Sequence, residues 1–340
     1  MLGHLDPEFL DLLDETCDRL RAVFRTGNRL TLPVSGTGSA GMEAAFVNVV
    51  SPGDVVVVGV NGLFGERMAE VARRLGADVV TVEAPWGESL DPQRLVEAHP
   101  APAVIAVVHA ETSTGVRNDV APIGAAKGGA LLVVDCVTSL GGIEVDADGW
   151  GIDVAYSATQ KCLGVPPGLA PFTMSPQARQ HRPARPTSWY LDLDLIARYV
   201  DPAAASGKPA SARVYHHTAP VAMIAALHAG LGLLLDEGLD AVWERHQRSG
   251  RALQDGLEAL GLELVAPPAY RLPQLTTVRV PPGADDAVVR RALLDRYGIE
   301  IGAGAGPWAG AVWRIGCMGP GASPASVALL LAALGEVLGR

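Results

Sequence analysis

The sequence predicts an α/β protein: a large unit built on a mostly parallel sheet, followed by a smaller α+β unit. Three observations carry that expectation. The chain has 340 residues, more than one hydrophobic core usually organises, since single cores stop growing near about 250–300 residues. Short apolar runs alternate with amphipathic segments through the first half, the pattern of buried strands covered by helices. The composition, 49% hydrophobic and 19% charged, is that of a well-buried globular chain.

Taken in order, Asp6 to Arg25 places Phe9, Leu10, Leu12, Leu13, Leu20 and Val23 at mostly helical spacing after an Asp-Pro start, which predicts a helical arm over residues 1–26. The segment 30-LTLPVSGTGSAGMEAAFVNVV-50 reads as strand, Gly-rich turn and helix. Further strands are expected at 54-DVVVVGV-60, 78-DVVTVEA-84, 103-AVIAVVHA-110, 130-ALLVVDC-136, 153-DVAYSAT-159 and 169-LAPFTMS-175, with helices near 64–75, 91–98 and 119–127. Residues 177–218 read as a long irregular excursion serving a site or an interface. Long helical patterns follow from Pro220 to about Leu260. Strands at 275-LTTVRV-280, 299-IEIGAG-304 and 311-AVWRIG-316, with helices near 285–297 and 324–338, complete the smaller unit. The expected division is an arm (1–26), a large α/β domain (27–235) and a small α+β domain (236–340).

The net charge of -10 and the lack of a basic stripe argue against nucleic acid as a partner. The cysteines Cys17, Cys136, Cys162 and Cys317 are scattered, with no disulfide framework and no CxxC metal pair. The apolar runs are strand-sized rather than membrane-sized, and the N-terminus does not read as a secretory leader. A cytoplasmic protein without a membrane partner is the expectation.

Several residue patterns can carry chemistry. In 156-YSATQKCLGVPPGLA-170, Lys161 sits alone between a strand and a Pro/Gly-rich turn. A lysine used as a nucleophile must be partly desolvated to shed its proton near neutrality, and this context suits it; spacing alone equally allows a surface lysine at a strand end. Asp135 closes a buried strand, where ligands of open α/β sheets bind, and reads either as the partner of a cationic ligand group or as a structural cap of the next turn. The turn 35-SGTGSAG-41 ahead of a helix suits a phosphate, although it matches neither dinucleotide nor P-loop fingerprints. In 109-HAETSTGV-116 another strand ends among hydroxyl residues, with an ordinary Ser/Thr turn as the alternative. Adjacent His216 and His217, on an extended segment, are expected to point to opposite sides, so no metal site is expected.

Together the segments SGTGSAGMEAAFVNVVSPGD, GVNGLFGER, HAETSTGV, LLVVDCVTSLGG, YSATQKCLGVPPG, VYHHTAP and VWRIGCMG resemble, in one order from about residue 8 to the C-terminus, the class V pyridoxal 5'-phosphate (PLP) dependent aminotransferases, specifically the alanine–glyoxylate and serine–pyruvate (serine–glyoxylate) group. The resemblance implies the aspartate-aminotransferase-like (type I) fold with a mostly parallel seven-stranded sheet. It implies Lys161 as the Schiff-base lysine and proton shuttle, and Asp135 as the partner of the pyridine nitrogen. Thr37, Gly38 and Ser39 match the phosphate turn, Gln160 a phosphate or ring-side ligand, and Thr112 the hydroxyl near the phenolic oxygen. Phe64 takes the ring-stacking place where relatives often carry Trp, and Arg314 matches the arginine that grips the substrate carboxylate. Tyr215 and Thr218 resemble residues that reach the phosphate of a neighbouring subunit, which implies a homodimer with active sites at the subunit interface.

Two departures stand out. Relatives carry a Gly-Pro-rich segment ahead of the arm that contributes to the substrate pocket; the sequence begins at the arm, so either Met1 is not the natural start or the pocket is open on one side. Ser39 stands where several animal relatives have His. The activity implied is transfer of an amino group from L-alanine or L-serine to glyoxylate or pyruvate. Alternatives are a ureidoglycine–glyoxylate or 2-aminoethylphosphonate–pyruvate aminotransferase, a lyase such as a cysteine desulfurase, or a PLP-binding homologue without catalysis.

Overall fold

The computed structural model describes residues 2–202 and 213–340. Helix α1 (Pro7–Phe24) starts where Asp6 accepts from the Glu8 amide at 2.9 Å and Pro7 fills the first turn, and it ends at Arg25 in the left-handed region. Phe9, Leu13, Cys17, Leu20 and Phe24 form its buried face, each full burial contributing about 2 kcal/mol. This arm belongs to the main core. It packs on β1 (Leu30–Ser35) and on a later helix, where Arg19 donates to the His228 carbonyl at 2.7 Å.

Strands β2 (Val55–Val60), β3 (Asp78–Glu83) and β4 (Val104–Val108) alternate with α2 (Gly38–Val49), α3 (Leu63–Arg74) and α4 (Pro92–Glu97). The short strands β5 (Ala110–Glu111) and β6 (Val116–Arg117) pair with each other, turning HAETSTGV into a small ribbon. After α5 (Ala121–Ala126) come β7 (Leu131–Asp135), β8 (Val154–Tyr156) and β9 (Leu169–Met174). The seven-stranded sheet runs β1-β9-β8-β7-β4-β2-β3. Only β9 is antiparallel to its neighbours. The C-terminal ends of the other six strands therefore share one edge, the place where open α/β sheets bind ligands.

The expectation of an irregular stretch over 177–218 needs correction. It holds α6 (Pro176–His181), capped by Ser175, and α7 (Leu193–Val200), capped by Asp192, which buries Leu193, Ile196, Ala197, Tyr199 and Val200. Residues 203–212 of that stretch lie outside the described residues.

Helices α8 (Val221–Glu237) and α9 (Leu239–Ala259) meet at an angle of 87°. Gly238, at a φ of 88°, makes that corner. No single helix among the described residues is long and apolar enough to cross a membrane. A second cluster of buried side chains, including Leu253, Leu257, Val278, Trp313 and Leu334, forms beneath the antiparallel sheet β10-β12-β11 (Leu275–Arg279, Val312–Gly316 and Gly302–Ala303). Helices α9, α10 (Asp286–Tyr297) and α11 (Pro324–Leu338) supply its other walls.

Candidate active site

Asp135 ends β7 in the middle of the sheet and is 3% exposed. Its Oδ1 accepts from the Val137 amide at 2.8 Å, and its register partner on β8 is the fully buried Tyr156. Burial pushes the carboxyl up to about 7, and the nearby charge of Glu111 adds to the rise. The Val137 amide, the Tyr156 phenol and the Lys161 ammonium pull the other way. A buried acid so placed calls for a cationic partner.

Lys161 lies in the turn after β8, half-buried, and its amine makes no hydrogen bond or ion pair among the described residues. Burial lowers its pKa, and the guanidinium of Arg314 lowers it further. The neighbouring Cys162 faces away: its Sγ donates to the Thr138 carbonyl at 3.3 Å, and burial holds the thiol up at about 12. All four cysteines are buried and unpaired. None offers an exposed thiol to a substrate.

Arg314, on the central strand of the small sheet, reaches across to the strand ends of the large one. Its Nε donates to the Ala303 carbonyl at 2.8 Å and its Nη1 to the Thr112 carbonyl at 3.3 Å. It forms no salt bridge among the described residues, so its charge has only carbonyl dipoles as direct partners. Thr112 in turn bonds Thr138 through their hydroxyls at 3.0 Å. Lys161, Asp135, Arg314 and Thr112 thus lie near one another at the strand ends.

The turn after β1 forms the adjoining wall. Thr37 caps α2 without a side-chain hydrogen bond, and the side chains of Thr37, Ser39 and Gln160 are exposed and make none among the described residues. A Cβ on Gly38 would lie 2.8 Å from Val137 Cγ2 and 3.2 Å from Ala158 Cβ, so only glycine lets the start of α2 approach the residues that follow β7 and β8. That helix start offers free amides and a favourable dipole to an anion. Ser35, just before the turn, bonds His217 Nε2 at 2.7 Å.

Tyr215 and Thr218, flanking that histidine pair, are exposed and lie 3.3 Å apart through their hydroxyls. The two histidines do not point to opposite sides as expected: their Nδ1 atoms are 2.8 Å apart. The chain bends at His217, which removes the strand alternation, and His216 stacks on Trp189 with ring centroids 4.5 Å apart. Among the described residues no group of three or more His, Cys, Asp or Glu side chains gathers to hold a metal.

Phe64 stands half-buried on the first turn of α3, with the Arg67 guanidinium 5.2 Å from its ring centroid. Sequence reasoning missed Glu111, Ser113 and Tyr156. Glu111 is fully buried beneath this turn, accepting from the Ser113 amide and hydroxyl and from the amides of Phe64 and Gly65. The one sequence signal was an acid inside an otherwise neutral strand-end segment, HAETSTGV.

Chemically, this is a set of unmet complements. A buried acid can hold a protonated ring nitrogen, a helix start can hold a phosphate, and a partly desolvated amine can attack a carbonyl. A guanidinium without an acidic partner can grip a carboxylate.

Comparison with known proteins places the chain in a family. The family model for aminotransferase class V matches residues 1–309. Alanine–glyoxylate aminotransferase of Callithrix jacchus is 40% identical over 346 residues, covering 99% of this chain and 82% of that protein. The (S)-ureidoglycine–glyoxylate transaminase of Bacillus subtilis (strain 168) is 37% identical over 365 residues, covering 100% of this chain and 86% of its own. The crystal structure of an alanine–glyoxylate aminotransferase from Nostoc sp. superposes with a TM-score of 0.93 at 48% identity, covering 99% of this chain and 89% of that one. With the sheet, the strand-end residues and a family match over most of its length, the chain belongs to the class V aminotransferases, enzymes of the aspartate-aminotransferase-like fold whose family implies PLP as cofactor.

Proposed function

We propose that this enzyme moves the amino group of a small amino acid, L-alanine or L-serine, to glyoxylate or pyruvate, with PLP bound between Asp135 and the start of α2. The observation that carries the reading is the nearness of Lys161, Asp135 and Arg314, three charged groups without direct ion-pair partners, at the strand ends. The free helix start, the glycine-dependent approach at Gly38 and the buried acid without an ion-pair partner support a fit to the phosphate and the pyridine nitrogen.

Bound there, PLP supplies an electron sink and a temporary carrier for the amino group. Lys161 would anchor it covalently, and its depressed pKa suits its amine to take the substrate Cα proton and return it. Asp135 keeps the ring nitrogen protonated. Arg314 would fix the substrate α-carboxylate, while the side chains of Thr37, Ser39 and Gln160 and the Gly38 amide would hold the phosphate. Thr112 would serve the phenolic oxygen, and Phe64 would offer its ring face to the cofactor ring. Two half-reactions on one site give ping-pong kinetics.

In this reading the enzyme is a cytoplasmic homodimer, divided into an arm (1–26), a large domain (27–235) and a small domain (236–340). The exposed aromatics Trp189, Tyr190 and Tyr215, gathered on the segments beside Ser35, support an interface that brings Tyr215 and Thr218 to the partner's phosphate. Four buried, unpaired cysteines accord with a reducing compartment. A second substrate reading, ureidoglycine as donor to glyoxylate, is favoured by the full-length likeness to the Bacillus subtilis transaminase. Single-turnover absorbance with L-alanine, L-serine and (S)-ureidoglycine separates them. Rapid conversion of the bound cofactor by alanine or serine supports the first; conversion by ureidoglycine alone replaces it with the second.

A further inference from the structure

The first turn of α3 has an unusual cap. Its N-cap residue is Gly62, which has no side chain to offer the free amides that follow. They are met from another element. The Leu63 amide donates to Ser113 Oγ at 3.0 Å, and the Phe64 and Gly65 amides to Glu111 Oε2 at 3.2 and 3.4 Å. Ser113 passes the contact on, its hydroxyl donating to Glu111 Oε1 at 2.6 Å and its amide to the same oxygen at 3.0 Å. A Cβ on Gly62 would fall 2.4 Å from Ser113 Oγ and 2.5 Å from Glu111 Cδ, so this remote cap excludes the ordinary local one.

All four partners of the carboxylate donate, and the Ser113 hydroxyl is already accepting from Leu63. Burial pushes the Glu111 carboxyl up, and the Ser113 hydroxyl and amide with the Gly65 and Phe64 amides pull it back down. The geometry therefore surrounds a fully buried carboxyl group with donors that favour its ionised form. Thr112, between the two capping residues, gives its carbonyl to Arg314 and its hydroxyl to Thr138. The charge of Glu111 supports the Arg314 cation across this ribbon.

We propose that Glu111, acting with Ser113, is a positioning residue: a tertiary helix cap that fixes the Phe64 ring against the cofactor and sets Thr112 and Arg314 on the opposite side of the same ribbon. The inference rests on the proposed cofactor site. It touches neither substrate nor cofactor itself.

The test is a double-mutant cycle on cofactor affinity, read by titrating the cofactor-free protein with PLP and following absorbance and induced circular dichroism. Glu111→Gln loses the charge-assisted cap and weakens binding about ten-fold in the wild-type background. In a Phe64→Leu background the same change costs less than about three-fold, because the ring that it places is gone. The dichroic signal per bound cofactor also falls in Glu111→Gln. Equal factors in both backgrounds overturn the proposal. Should Glu111→Gln not fold, as judged by melting of the cofactor-free protein, Ser113→Ala runs the same cycle with the carboxylate kept, and non-additivity with Phe64→Leu is again required. A wild-type protein that takes up no PLP removes the cofactor site and this inference with it; a wild type that binds, with additive variants, removes only the role of Glu111.

Discussion

Nη1 of Arg314 donates to the carbonyl oxygen of Thr112 at 3.3 Å, so an arginine from the small sheet rests on the ribbon beside the end of β7. Two separately packed sets of buried side chains thereby meet at the strand ends. The bond is to a neutral carbonyl, which leaves the guanidinium's charge available to a substrate carboxylate.

Arg314→Gln accordingly impairs substrate rather than cofactor. The KM for both the amino acid and the 2-oxo acid rises about a hundred-fold, equivalent to roughly 3 kcal/mol for a charge pair lost from a half-buried site. Steady-state kinetics with each substrate varied in turn, beside a PLP titration that stays within about two-fold of wild type, checks it.

Asp135 gives a pH signature. Its folded pKa, raised to about 7 by burial, lies above its unfolded value near 3.8. Between those values the unfolded chain releases a proton that the folded one keeps, so the cofactor-free protein loses stability from this group as pH rises from about 4 to 7. Asp135→Asn removes that loss. The cofactor-free variant is more stable than wild type above pH 7 by on the order of 4 kcal/mol, and the gap closes near pH 4. Denaturant unfolding of both proteins across that range measures it, and the same variant binds PLP more weakly because the ring nitrogen loses its counter-ion.

Gly38→Ala tests the close approach of α2. The added methyl group meets Val137 and Ala158, and relieving the overlap costs about 1–3 kcal/mol. The helix start then retreats from the strand ends. Melting temperature and PLP affinity both fall, and excess phosphate, a competitor at the same turn, becomes a weaker inhibitor of cofactor uptake.

Much of this was legible in the sequence because the signals were local. The apolar runs from Val55 to Asp135 are too short for helices and too apolar for surface strands, and each became a strand of the main sheet. Asp135 and Lys161 were visible as lone charges at the ends of such runs. Local signals for α6 and α7 also existed, Ser175 before Pro176 and Asp192 before Leu193, but the surrounding Pro and Arg residues obscured them. The Glu111 cap was not legible, because Gly62 and Glu111 lie far apart in the chain and a missing cap on α3 announces nothing about where its replacement stands. Nor was the pairing of His216 with His217, which depends on a bend rather than on residue type.

The most direct test of the central claim is where the cofactor attaches. The purified protein, supplied with PLP, is reduced with borohydride to fix the linkage, digested, and mapped by mass spectrometry beside Lys161→Ala. The account predicts one phosphopyridoxyl adduct, on Lys161, with no adduct in the variant and turnover reduced by at least about a thousand-fold, on the scale of a lost general base. An adduct on another lysine, or turnover that survives in Lys161→Ala, would contradict it.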